Sequence, residues 1–300
     1  MKMNDIKIGI NPLTWTNDDL PSLGADTPLS VCLNEAKQAG FAGIELGNKF
    51  PRDPAVLGPI LAEHKIELVS GWYSANLMSQ SAEEEISALQ GHLNLLKSLG
   101  AKVMVFAEVT NCIHGDQSAP LSQRPRMTVT QWQDYVVKIT QVADYLAEQG
   151  VKLAYHHHMG TVIETAEEVD YLMQNTGNNV GLLLDTGHIT FAGGDALQMA
   201  KKHADRIVHV HCKDIRRNVL KDNLNRDNAF LNAVLEGVYT VPGDGSIDYL
   251  PIFETLKSVG YQGWIVLEAE QDPAIAHPLT YAKKGYEYLE ANLKSAGLIA

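Results

Sequence analysis

Three consecutive histidines stand in AYHHHMGT, residues 154–161, of a 300-residue chain that has 11 histidines in all. The run lies mid-chain, directly after a short apolar segment, which argues against a tag and raises the question of metal ligation. Further donors follow: Asp185 in DTGH, His209 and His211 in HVHCKD, and Glu268 and Glu270 in WIVLEAE. His, Asp, His and Glu together form a mixed nitrogen and oxygen set suited to a divalent cation. They are far apart in sequence, so the chemistry depends on a fold that gathers them.

The elements that would position them are legible as short β-rich runs. These are IKIGIN (6–11), GIEL (43–46), IELVSGW (66–72), KVMVFAE (102–108), VKLAYHH (151–157), VGLLLD (180–185), RIVHVH (206–211) and GWIVLEAE (263–270). Amphipathic segments lie between them, such as LSVCLNEAKQAG (29–40), stopped by Gly40. A second, SAEEEISALQGHLNLLKSLG (81–100), has a Ser cap, an acidic first turn and a final Gly100. Eight β-then-α units predict an α/β fold of the (β/α)8 TIM-barrel class, spanning residues 1–300 as one domain. A doubly wound sheet is the alternative, weakened because no GxGxxG follows the first run.

In a barrel the C-terminal ends of all strands converge on one face. The polar residues at those ends are Asn11, Glu45, Trp72, Glu108, His156 to His158, Asp185, His209, His211, Glu268 and Glu270. Strand alternation puts Tyr155 and His157 on one side, and His156 and His158 on the other. His156 and His158, about 6.6 Å apart along an extended chain, are better read as one ligand and one substrate-facing residue. His157 is expected to face the helices and satisfy a backbone group. The longest irregular stretch is 212–246, beginning with Lys213 and Asp214 and containing Arg216 and Arg217. A long loop at a barrel's C-terminal face is where specificity is built. Trp15 and Trp72 are candidates for an apolar wall or, equally, for core packing or a lid contact, and His114 for the mouth of the site or a plain surface position.

Several residues also have plain structural readings. Asp185 could cap a helix, His211 could be a hydrogen-bonded barrel histidine, and Asn11 and Glu45 could bond other protein groups. Glu268 is harder to explain that way, because a buried carboxylate costs several kcal/mol unless it is paired or bound to a cation.

Composition narrows the function classes. A formal charge of −12 disfavours a phosphate-backbone partner. No apolar run approaches the roughly 18 residues a membrane span needs, and MKMNDIKIGINP does not read as a secretory signal. Cys32, Cys112 and Cys212 show no CxxC pairing, which points to a reducing compartment and an expected cytoplasmic location.

DTGH (185–188), HVHCKD (209–214), VPGDGSID (241–248) and WIVLEAE (264–270), in this order, resemble the xylose isomerase-like TIM barrels of sugar isomerases, epimerases and inosose catabolism. Within that family GINPLTWTNDDLP, IELGNKFP and HHHMGT are most similar to members that work on inosose. The resemblance implies one divalent metal held by His156, Asp185, His211 and Glu268. It also implies loss of water from scyllo-inosose (2-keto-myo-inositol), a hydro-lyase reaction giving a trihydroxycyclohexane-dione. The common family pattern has glutamate at the position of His156. Its replacement removes one of two acid-base carboxylates of the epimerases and favours elimination by a single base.

On this reading Glu268 or Glu270 is the base and His158 or His188 the acid. Asn11, Glu45, Trp72, Lys213 and Arg217 contact substrate, Arg217 standing where related epimerases place such an arginine. Two imidazoles and two carboxylates suit Mn or Co first and Zn next. The alternatives are a keto-sugar isomerase or epimerase on the same metal, a metal-stabilised sugar-binding module, and a nucleic-acid-processing barrel of the endonuclease IV kind, against which the charge speaks. A homo-oligomer is left open.

Overall fold

The computed structural model describes residues 6–300. Its principal sheet contains β1 (Ile6–Ile10), β2 (Gly43–Ile44), β3 (Glu67–Leu68), β4 (Trp72–Ala75), β5 (Val103–Glu108), β6 (Lys152–His156), β7 (Val180–Asp185) and β8 (Ile207–Cys212). After β8 a two-stranded antiparallel excursion is formed by β9 (Asp214–Ile215) and β10 (Tyr239–Thr240), and β11 (Gly263–Leu267) completes the main sheet. All main-sheet pairings are parallel, in the order β3-β2-β1-β11-β8-β7-β6-β5-β4. The two ends of that order are one stretch of chain. Val69 N–H donates to Ile44 O and Leu46 N–H to Ser70 O on one side, and Val105 N–H to Gly71 O on the other. Residues 67–75 are therefore a single stave, and the nine strands close as an eight-staved barrel at the eight runs expected from sequence.

Helices cover the outside: α1 (Leu29–Ala39), α2 (Pro54–His64), α3 (Ala82–Ala88), α4 (Gln90–Ser98), α5 (Val129–Glu148), α6 (Ala166–Asn175), α7 (Thr186–Phe191), α8 (Ala196–His203), α9 (Arg217–Asn225), α10 (Phe230–Leu235), α11 (Leu250–Ser258) and α12 (Pro278–Ala296). The segment 81–100 has the expected Ser81 capping box but divides into α3 and α4 at Leu89. The division accompanies an inward turn of Glu85, which is buried and accepts from Tyr73 Oη at 2.5 Å and Asn76 N–H at 2.9 Å. The stretch 212–246 is not irregular: it forms β9, α9, α10 and β10.

Alternation on the strands separates two apolar layers and aims the site residues. Leu153, Tyr155, Leu182, Leu184, Val210, Cys212, Ile265 and Leu267 join the main core. Ala154, Leu183, Val103 and Val105 form a small cluster of their own. The positions in step with Ala154 and Leu183 become polar at the strand ends: His156, Asp185, His211 and Glu268. None of the described helices is long and apolar enough to cross a membrane.

Candidate metal centre and active site

Strand-end geometry brings His156, Asp185, His211 and Glu268 together, with one ligand atom from each lying within 4.8 Å of the others. Asp185 divides its two oxygens. Oδ1 accepts the His188 N–H at 2.8 Å and caps α7, whereas Oδ2 is buried without a hydrogen-bond partner and faces His156 Nε2 at 3.5 Å and His211 Nδ1 at 3.6 Å. The capping reading and the ligand reading of Asp185 are thus compatible. His211 Nδ1 lies 2.9 Å from Glu268 Oε2 and is buried without a hydrogen-bond partner. Asp185 Oδ2 and His211 Nδ1, both buried and partnerless, face His156 Nε2 and Glu268 Oε2, a mixed nitrogen and oxygen set that a divalent cation would satisfy, so these residues fit such a group.

Glu45 anchors the far side of His211. Its carboxylate lies 3.1 Å from His211 Nε2 and 2.8 Å from His209 Nε2, and it accepts from Asn11 Nδ2 at 2.7 Å and Ser70 Oγ at 2.5 Å. Burial raises its proton affinity, but the two histidines more than offset this and hold the carboxyl well below its usual range. With its lone pairs committed to protein groups, Glu45 orients a donor histidine. Glu45 and Asn11 both line the cavity while bonded to each other, the protein-bonded reading of these two residues.

Lys213 is fully buried inside the site, not on a loop outside it. Its ammonium lies 2.6 Å from Glu268 Oε1, 2.7 Å from Glu270 Oε1 and 2.9 Å from His188 Nε2, and 4.7 Å above the Tyr239 ring. Three neighbours match the three N–H groups of an ammonium. Glu270 keeps Oε2 buried and partnerless. Burial pushes its carboxyl up to about 7 against the opposing pull of Lys213.

The acid assignments fare differently. His158 Nδ1 is 2.8 Å from the Met159 carbonyl, which can only accept, so the neutral ring carries its proton there and offers Nε2 as an acceptor. Burial and the neighbouring His114 hold His158 well below its usual pKa. His188 has Nε2 on Lys213 and Nδ1 within 3.1 Å of Tyr239 Oη, and burial followed by the His158 and Lys213 charges disfavours its protonation. Neither ring is arranged as a proton donor to a leaving group.

The cavity over these donors measures about 590 Å³ including its open mouth, and is lined by Asn11, Trp72, His158, His211, Glu268 and Glu270 among others. A family model described as xylose isomerase-like TIM barrel matches residues 33–292. The chain belongs to the xylose isomerase-like TIM barrel family. It is 52% identical over 292 residues to the rhizopine catabolism protein MocC of Rhizobium meliloti, covering 97% of this chain and 90% of that relative. It is 46% identical over 290 residues to the inosose dehydratase of Geobacillus thermodenitrificans, covering 96% and 97%. The solved IOLI protein with a bound zinc atom shares the fold at a TM-score of 0.66 and 18% identity, covering 97% of this chain and 98% of that one.

Four further residues singled out in the sequence are placed by this xylose isomerase-like barrel as follows. Arg217 is exposed at the first position of α9 and does not line the cavity, because the β9–β10 excursion carries the chain away from the mouth before it is reached. Asp214 binds backbone N–H groups of Gly243, Gly245, Ser246 and Ile247, shaping the β10 turn. His157 is fully buried with both ring nitrogens partnerless, so it satisfies no backbone group. Trp15 is core, its indole N–H donating to Glu35 at 2.6 Å. Sequence reasoning missed Asp18 and Asp19 as lining residues, although an acidic pair in a loop at the barrel's C-terminal face was a usable signal. Tyr239 had no comparable signal, since only the excursion returns it to the site.

Proposed function

We propose that the protein is an inosose dehydratase, a hydro-lyase of inositol catabolism that converts scyllo-inosose into 3D-trihydroxycyclohexane-1,2-dione. The observation that carries this reading is the placement of one proton-accepting carboxylate, Glu270, beside a four-donor centre that has His156 where epimerases have a second carboxylate. Full-length similarity to relatives named inosose dehydratase supports it.

His156 Nε2, Asp185 Oδ2, His211 Nδ1 and Glu268 would hold a divalent metal, Mn or Co first and Zn next. A cation bound there supplies Lewis-acid polarisation of the substrate ketone. Glu270 Oε2 takes the proton from the carbon next to the ketone, and the C–H electron pair forms the enolate. The enolate pair then expels the β-hydroxyl, which leaves as water with the proton returned by Glu270. The resulting enol tautomerises to the dione. Lys213 stabilises the charged form of Glu270 and fixes its orientation. His158 Nε2 accepts a substrate hydroxyl, and Trp72 forms the wall beside it.

The whole chain, 1–300, acts as one catalytic domain in the cytoplasm on a small uncharged polyol ketone, without nucleic acid or membrane. The test is to strip the protein with a chelator and add scyllo-inosose with and without Mn or Co, following the ultraviolet absorbance of the conjugated enol. Metal-dependent growth of that absorbance is expected. A folded, metal-loaded protein that gives no absorbance change would overturn the reading in favour of a keto-sugar isomerase or epimerase.

A further inference from the structure

The loop after β1 enters the site through a turn built on Asn17. This buried side chain accepts the N–H groups of Asp19 at 2.9 Å and Leu20 at 2.7 Å, so the carboxylates of Asp18 and Asp19 are projected from a fixed backbone. Asn48 braces the turn through Asn17 O at 3.2 Å and Asp18 Oδ1 at 3.2 Å. Across the mouth, His114 arrives on the loop after β5, 8% exposed, with Nε2 3.3 Å from Asp19 Oδ1. That loop is itself fastened, Ile113 N–H donating to Gly160 O at 2.9 Å, and the His114 ring lies 5.0 Å from His158 and 6.4 Å from Trp72.

Depth in the cavity follows from exposure. The side chains of Asp185, His156, His211 and Glu268 are 0 to 5% exposed, whereas that of Asp19 is 34% exposed, although all except Asp185 line the same cavity. Asp19 therefore stands at the rim, opposite the donors on the floor. Its Oδ1 faces His114, while Oδ2 has no hydrogen bond from another described residue.

We infer that Asp19, held by His114 from the opposite loop, is a specificity-determining residue that accepts a hydrogen bond from a substrate hydroxyl on the ring edge remote from the reacting carbons. This rests on the proposed reading that a ring polyol ketone binds with its ketone on the floor. Such a ring must present its distal hydroxyls to the rim, and binding energy gained there orients the reacting carbons. A carboxylate oxygen suits a hydroxyl donor, and once the bound ring shields the rim from water, an analogue lacking that hydroxyl leaves the oxygen unpaired. His114 is a positioning residue in this arrangement, since it acts through Asp19.

The experiment compares wild type, Asp19→Ala, Asp19→Asn and His114→Ala on scyllo-inosose and on ring analogues each lacking one distal hydroxyl. Asp19→Ala is expected to lower kcat/KM for scyllo-inosose by about ten- to hundredfold. On the one analogue that lacks the contacted hydroxyl its loss shrinks to under about threefold. Asp19→Asn, which keeps an acceptor oxygen, falls between, and His114→Ala shows the same dependence on analogue with a smaller loss. Equal losses on every analogue, or no loss with scyllo-inosose, would overturn the inference while leaving the dehydratase reading intact. Wild type that turns over none of these ketones would overturn both.

Discussion

Glu45 Oε2 lies 3.1 Å from His211 Nε2, and this contact turns the other ring nitrogen toward Glu268 at 2.9 Å. A carboxylate that fixes a donor histidine's orientation also raises its basicity. Glu45→Gln keeps the volume and removes the charge, so metal affinity is expected to fall about 10- to 100-fold. Titration against a competing chelator measures this directly, without turnover. An affinity equal to wild type would show that the other three donors and the backbone suffice to place His211.

Lys213 balances a cluster that would otherwise bury carboxylates without a counter-charge. Its three contacts are with Glu268, Glu270 and His188. Removing one partner of a buried ion pair costs about 3–5 kcal/mol, most of it the uncompensated charge left behind. Lys213→Met in the metal-free protein is expected to lose stability of that order in urea unfolding at neutral pH. Adding Glu270→Gln removes one of the stranded charges and should restore part of the loss. A double variant no more stable than Lys213→Met would mean that packing of the lysine stem, not charge, sets the cost.

The eight staves and the four converging donors were legible because strand period two and barrel closure act on every strand alike. Once Ala154 and Leu183 face inward, His156 and Asp185 must follow. The same logic stops where the chain leaves the barrel. The expected role of Arg217 rests on the position of an arginine in related epimerases, and here the β9–β10 pairing carries Arg217 away from the mouth. Tyr239 was invisible for the converse reason: a short antiparallel pair returns it over Lys213. Roles within the site depended on hydrogen-bond direction, which sequence does not contain. His158 Nδ1 faces the Met159 carbonyl, a direction that no residue spacing encodes.

Gly160 ties the turn after β6 to the loop that carries His114. Its φ is +75°, and a Cβ there would lie 2.9 Å from the His114 backbone nitrogen. Gly150 has nearly the same φ, +76°, with nothing within 4 Å. Alanine at Gly150 therefore meets backbone strain alone, about 1–2 kcal/mol. Gly160→Ala adds a backbone collision and is expected to destabilise more, by differential scanning calorimetry, and to lower kcat/KM because the same turn positions His158. Equal shifts for the two variants would mean the loop yields without cost.

His92, on α4, sets one component of acid sensitivity. Its Nε2 donates to the Gly71 carbonyl at 3.2 Å, and burial lowers its pKa to about 4, with Arg52 adding to the shift and the Gly71 contact opposing it. The unfolded chain has its histidine near 6.5 and binds more protons between those two values. This contribution to stability is therefore fully present above about pH 6.5 and is lost as pH falls toward 4, up to about 3 kcal/mol. Glu108, pushed up to about 7 by burial, works in the opposite sense over part of the same range, so the wild-type profile mixes both. The informative quantity is the difference between wild type and His92→Gln, which keeps a donor for Gly71 but does not titrate. Urea unfolding from pH 7 to pH 4.5 should show a shallower decline in His92→Gln. Parallel profiles would mean that His92 is protonated in the folded protein as readily as in the unfolded chain.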